Sequence, residues 1–316
     1  FYSSIPNFNL DNKRMASKSH KACFHFWLEQ LGDHASYEVN QRRLIGNTAG
    51  FVDALKNSST LKSLTVISAK NVKSISLAIA DALRVNSSLT SLNLDRNSIE
   101  DKGAIAIADA LKVNCSLTSL NLNCNSIQQV GAMAIADALK VNTTLTSLDL
   151  GGNSIHDEGA IVIADALKVN TTLASLDLRK NSMKDEGAMA IADALKVNCS
   201  VAVLNLSHNM INSKGALAIA DVLQENTTLT SLDLSNNVIQ EEGAIAIADS
   251  LTTNSTLTSL NLSSNSIQQE GAMAIADALK VNCSVAVLNL SHNMINSKGA
   301  LAIADVLQEN TTLTSL

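Results

Sequence analysis

Along most of this chain, apolar and polar positions alternate, then switch to a longer period, then alternate again. In Leu148-Asp149-Leu150 the two leucines face one way and the Asp the other, which predicts a short strand. Ala160, Ile163, Ala164 and Leu167 follow at i, i+3, i+4 and i+7, one face of a helix. Gly159 precedes this helix, where a bare backbone permits an unusual dihedral or close packing. Asn170-Thr171-Thr172 reads as the helix end and return loop.

The pattern recurs every 28 residues. From Leu89 the stretch LTSLNLDRNSIEDKGAIAIADALKVNCS is followed by copies beginning at Leu117, Leu145, Leu173, Val201, Leu229, Leu257 and Val285. A degenerate copy begins at Leu61, with Ala69 for the usual Asn and Ile75 for the usual Gly. Ala54-Leu55 falls 28 residues before Ala82-Leu83 and marks an eroded copy ahead of it. Residues 186–232 and 270–316 are identical over 47 residues, the sign of a recent duplication. The chain starts on Phe1 rather than Met, with Met15 a candidate start, and stops at Leu316 inside a strand. It therefore reads as a fragment.

One strand–helix unit cannot bury its apolar side alone, but stacked units can. Leu145, Leu148, Leu150, Ile155, Ile163 and Leu167 would meet their equivalents above and below. Helices are wider than strands (~10 Å against ~4.8 Å), so such a stack curves with its parallel strands on the concave side. Just after each strand stands an Asn: Asn97, Asn125, Asn153, Asn181, Asn209, Asn237, Asn265 and Asn293. There the backbone leaves the ladder and its polar groups need partners. An inward amide, with two donors and an acceptor, ties adjacent turns together.

These residues, as in LTSLDLGGNSIHDEGAIVIADALKVN, resemble the ribonuclease-inhibitor-like class of leucine-rich repeats over about residues 61–316. The unit with GAxAIADALK looks most like the C-terminal array of NOD-like receptors. The resemblance implies an α/β fold, a right-handed leucine-rich-repeat horseshoe with strands on the concave face and helices on the convex face. It also implies a ligand sensor, or a restraint on a nucleotide-binding module of an innate-immune type. No GxxxxGK[ST] phosphate loop occurs here. Related arrays also act alone as GTPase-activating proteins for nuclear-transport GTPases, usually with an acidic tail, and none is seen here. Residues 61–316 are expected to form the array, nine units plus the start of a tenth. Residues 1–60 are expected to be an N-terminal cap, or the remnant of a preceding domain, with one eroded repeat.

Composition narrows the function. Hydrophobic residues make up 46% and aromatics 3%, so the core is built from Leu, Ile, Val and Ala. The net charge is −6 without basic blocks, a poor match to nucleic acid. No apolar run is long enough for a membrane span, and no leader pattern opens the chain. Of five cysteines, Cys115, Cys199 and Cys283 are spaced by 84 residues. In a stack such neighbours stand at least ~14 Å apart, beyond the ~7 Å a disulfide tolerates. A reducing, cytoplasmic setting fits best.

Candidate chemistry lies on the concave wall. Asp95, Arg96, Asp149, Asp177, Arg179, Lys180 and His208 depart there from a small, polar pattern and are the candidate partner-binding residues. Asp149 and Asp177 would stand ~5 Å apart on neighbouring strands, but an open wall without a pocket does not suit catalysis. An Arg finger for a GTPase, Arg96 or Arg179, is a sharper idea. Acidic loops such as His156-Asp157-Glu158 read as favourable company for helix N-termini. Asn-x-Ser/Thr sequons at Asn86, Asn114, Asn142, Asn170, Asn198, Asn226, Asn254, Asn282 and Asn310 read as helix-end residues rather than glycan acceptors. All the aromatics lie between Phe1 and Phe51, suited to capping the first unit, Phe24, Phe26 and Trp27 included. His20, Cys23, His25 and His34 do not make a convincing four-ligand zinc set. The expectation is a non-catalytic protein-binding module without metal or cofactor, with a GTPase-activating protein as the alternative.

Overall fold

A computed structural model describes residues 36–40, 48–67 and 75–316. Among the described residues strand and helix alternate. The strands are β1 (Ser36–Asn40), β2 (Ser63–Ile67), β3 (Ser91–Asn93), β4 (Ser119–Asn121), β5 (Ser147–Asp149), β6 (Ser175–Asp177), β7 (Val203–Asn205), β8 (Ser231–Asp233), β9 (Ser259–Asn261) and β10 (Val287–Asn289). The helices are α1 (Thr48–Asn57), α2 (Ile75–Leu83), α3 (Glu100–Leu111), α4 (Gln129–Leu139), α5 (His156–Leu167), α6 (Asp185–Leu195), α7 (Ser213–Leu223), α8 (Glu241–Leu251), α9 (Gln268–Leu279) and α10 (Ser297–Val306). The strands form one parallel sheet in chain order, β1 to β10. Leu92, Leu120, Leu148 and Leu176 stand side by side in it. Ser36 pairs with Ser63, so the step from β1 to β2 is one residue shorter than the repeat. Ala54 and Leu55 of α1 are buried, as are Ala82 and Leu83 of α2.

The apolar pattern explains this arrangement. Leu145, Leu148, Leu150, Ile155, Ile163 and Leu167 are all buried, between the sheet and the row of helices. Leu150 lies just past β5, yet its N–H still donates to the Asp177 carbonyl at 2.9 Å. Helices packed side by side need ~8–10 Å each and strands ~4.8 Å, which places the strand wall on the inside of the bend.

Gly159 departs from its expected place. Helix α5 begins at His156, so Gly159 sits in its first turn rather than before it. A Cβ there would lie 2.4 Å from Ile155 Cγ2 and 3.1 Å from Ala132 Cβ, so close packing between α4 and α5, and not an unusual dihedral, calls for glycine.

Two rows of buried asparagines stitch the units. After each strand, Asn125 is typical: its Nδ2 donates to the Leu94 carbonyl at 2.8 Å in the preceding unit. Its Oδ1 accepts the N–H groups of Asn97 and Ile99 from that same unit, at 2.8 and 3.3 Å. Asn97, Asn153, Asn181, Asn209, Asn237, Asn265 and Asn293 each donate to the matching carbonyl one unit back. The second row follows each helix. Asn142 Nδ2 donates to the Leu111 carbonyl at 2.8 Å, while its Oδ1 accepts from Thr144 and Leu145. These are the sequon asparagines.

The acidic loop residues cap helices, though not their own. Asp101 Oδ1 accepts from the N–H groups of Gln128 and Gly131 at the start of α4, one unit on. Asp157 and Asp185 do the same for α6 and α7. A negative charge at a helix N-terminus interacts favourably with the positive end of the macrodipole as well as accepting from an orphan donor.

Candidate functional site

On the strand wall, the last residue of each strand from β3 to β10 is Asn or Asp. Its Oδ1 accepts the N–H two residues on: Asn121 from Asn123 at 2.8 Å, Asp149 from Gly151 at 2.8 Å, Asp177 from Arg179 at 2.9 Å. These side chains therefore fix the turn out of the strand before they can do anything else.

Asp149 and Asp177 are partners in the β5–β6 register. Arg179 lies between them, its guanidinium 3.1 Å from Asp177 and 3.4 Å from Asp149. Asn205 Nδ2 donates to Asp177 at 3.2 Å. Burial pushes the Asp177 carboxyl up to about 6, helped by Asp149 and opposed by the Arg179 N–H, the guanidinium and Asn205. Burial also raises Asp149, aided by Asp95 and opposed by the Gly151 N–H and Arg179. Desolvation outweighs the ion pair because both carboxyls are largely covered while Arg179 is more open. The shared arginine occupies the space between the carboxyls, so this pair is not arranged as a general acid and base.

The other candidates separate from this cluster. Asp95 accepts from Asn123 Nδ2 at 2.7 Å. Arg96 is open, 74% exposed, and touches only the edge of Asp95 at 3.8 Å. Lys180 and His208 are exposed. Arg96, Lys180 and His208 share one further property, a positive φ of 56°, 53° and 53°. The turn after each strand from β3 to β10 demands a left-handed residue there, and Gly152 is the one glycine in that row. His20, Cys23, His25 and His34, with Phe24, Phe26 and Trp27, lie outside the described residues.

Sequence reasoning missed Gly151. A Cβ on it would sit 2.9 Å from Arg179 Cγ and 3.1 Å from Arg179 Nε, so the missing side chain is the notch in which Arg179 lies. The available signal was a Gly and an Arg at the same position of consecutive units, 28 residues apart.

A Leucine Rich repeat family model matches residues 85–108, 113–136, 141–164, 169–192, 197–220, 225–248, 253–276 and 281–304. This chain belongs to the leucine-rich-repeat family. Leucine-rich-repeat arrays generally bind proteins and are typically not enzymes. An internalin structure from Listeria monocytogenes is similar over 84% of this chain and 69% of its own, at 20% identity and a TM-score of 0.52, a likeness of fold. Leiomodin-1 actin-binding site 2 matches at 29% identity over 40% of this chain and 73% of that one, with a TM-score of 0.36. The tropomodulin C-terminal domain of Caenorhabditis elegans matches at 14% identity, covering 40% and 76%, with a TM-score of 0.35. No curated protein matches the chain. Among the described residues no helix is long and apolar enough to cross a membrane.

Proposed function

We propose that the strand wall between Asp95 and His208 binds a protein partner, and that the array is the ligand-sensing or autoinhibitory part of a NOD-like receptor. The observation that carries this is the placement of Arg96, Lys180 and His208. They are exposed on the wall where the repeat departs from its own small, polar pattern, at positions where a non-glycine residue is conformationally costly. Asp149, Asp177 and Arg179 lie beside them as the charged floor. Residues 61–316 act as the array, and residues 1–60 as its cap or the remnant of a preceding domain.

The test is a triple substitution, Arg96→Glu, Lys180→Glu and His208→Glu. The partner recovered with the wild-type chain should be lost, with the thermal midpoint held within about 2 °C. Normal binding by a folded triple variant would remove the wall from consideration.

One observation favours a GTPase-activating reading as well. Arg96 is exposed with one long contact to Asp95, whereas Arg179 is held between Asp149 and Asp177. In that case Arg96→Ala abolishes stimulated hydrolysis by a small GTPase and Arg179→Ala does not. Flat rates across a panel of small GTPases would end it.

A cytoplasmic location is supported by the sequons. Glycan transfer needs Nδ2, and in Asn86, Asn114 and Asn142 that atom is buried and donates to a carbonyl one unit back, at 2.6 to 2.8 Å. Each of these amides donates to two carbonyls, so a glycan would remove one of the two bonds and could not fit in the buried site. Directing the chain through a glycosylating compartment should give glycosylated, unfolded product.

A further inference from the structure

Arg179 is held in two ways at once. Its stem crosses the bare Cα of Gly151 in the preceding unit, and its guanidinium bridges Asp177 and Asp149. The trio carries one positive and two negative charges. Asp149 faces Asp177 from β5, and Arg179 faces it from the turn after β6. From β7 comes only the uncharged Asn205, while Asp95 acts on Asp149 from the turn after β3. Two carboxylates in a partly covered site repel each other, and the arginine is what reconciles them.

We propose that this cluster is a proton-operated latch: when Asp177 is neutralised, Arg179 leaves the Gly151 notch and offers its guanidinium to an anionic group on the protein partner. The shorter of the two ion pairs is the one that weakens, and the longer contact to Asp149 is left to hold a long, rotamer-rich side chain. The raised Asp177 carboxyl brings the switch within reach of mild acid. The sign is fixed by linkage. The folded state holds this proton more tightly than the unfolded chain, so acidification from pH 7.5 through about 6 adds stability. The purpose of the latch rests on the wall being a binding surface, but its mechanics are read on the chain alone.

Nuclear magnetic resonance tests it without a partner. The Asp177 carboxyl carbon should titrate near 6, and the Arg179 Nε–H should pass from ordered to mobile over the same range. Asp177→Asn should show the mobile state at pH 7.5 and lose the part of the pH dependence of stability that centres near 6, keeping what Asp149 contributes. Gly151→Ala, which crowds the stem, should free Arg179 with Asp177 intact. Sulfate, divalent across this range, should shift the Arg179 signal at about fivefold lower concentration at pH 5 than at pH 7.5, the scale of one exposed ion pair. An Arg179 equally ordered at both pH values, or unaltered in Asp177→Asn, overturns the latch. Release without any gain in sulfate response overturns its reach for an anion. A latch that opens in a chain whose triple substitution leaves partner binding intact would refute the wall instead.

Discussion

Residues 201–228 and 285–312 have the same sequence, yet they are not in the same state. Leu223 is fully buried, while its twin Leu307 is 42% exposed. Leu232 is 1% exposed and its twin Leu316 is 52% exposed. Ala216 and Ala220 are buried where Ala300 and Ala304 are open. The asparagines tell the opposite story. Asn209 and Asn293 are both buried, and both donate to the preceding unit, to Leu178 at 3.1 Å and to Leu262 at 2.8 Å. The ladder asparagines reach back to the preceding unit, whereas the apolar face is completed by the unit ahead. Each boundary between units thus carries both the asparagine bonds and the apolar contact, as nearest-neighbour behaviour in a solenoid requires.

The largest effect should separate the leucines. Leu223→Ala leaves a cavity between α7 and α8 and should cost about 2–5 kcal/mol. Leu307→Ala removes contacts on one side only and should cost under about 1 kcal/mol. Urea melts of the two variants read the difference directly. Equal losses would mean that burial is set within the unit, and the comparison would fail.

The asparagines should sharpen it from the other side. Asn209→Ala and Asn293→Ala each orphan two backbone N–H groups of the preceding unit, those of Asn181 and Met183 or of Asn265 and Ile267. Each should cost about 1–3 kcal/mol. The two values should agree within about 0.5 kcal/mol, unlike the leucine pair. A much smaller loss for Asn293→Ala would show that the last turn is held by something other than its ladder.

How far the sequence carries one here depends on periodicity. Leu148, Leu150, Ile163 and Leu167 announce their burial because every copy repeats the same spacing, and a stack is the one arrangement that satisfies all copies together. The starts of helices were less legible. Gly159 looked like a boundary but serves a contact with Ala132, 27 residues away. The charged cluster was legible only as a list of residues. Nothing local to Arg179 says that its stem turns back over Gly151. That follows from a side chain absent in the neighbouring unit, and from a carboxyl on either side of the gap. Exceptions to a repeat are where sequence reasoning thins out, because each takes its meaning from a neighbour one repeat away.

The smallest effect is the most discriminating. Asp101, Asp157 and Asp185 cap the next helix, and the residue at their position in the following unit is Ser213. Ser213 Oγ is the one buried side-chain polar atom without a partner among the described residues, and α8 has no side-chain cap on its N-cap residue, Gln240. A longer, charged side chain there would reach the N–H groups of Gln240 and Gly243, as Asp185 reaches those of Asn212 and Gly215. Ser213→Asp should therefore stabilise by about 0.5–1 kcal/mol, the usual worth of a cap. Gly243 leaves room only on condition that the side chain turns, since a Cβ on it would stand 3.1 Å from Ser213 Cα. Ser297→Asp makes the same substitution in the same sequence, but among the described residues no helix follows α10 for it to cap. It should change stability by less than about 0.3 kcal/mol. Paired thermal melts decide the matter. A gain at Ser213 alone means that the acidic loop residues act forward, across the unit boundary; equal gains at both would mean that each acts on its own helix.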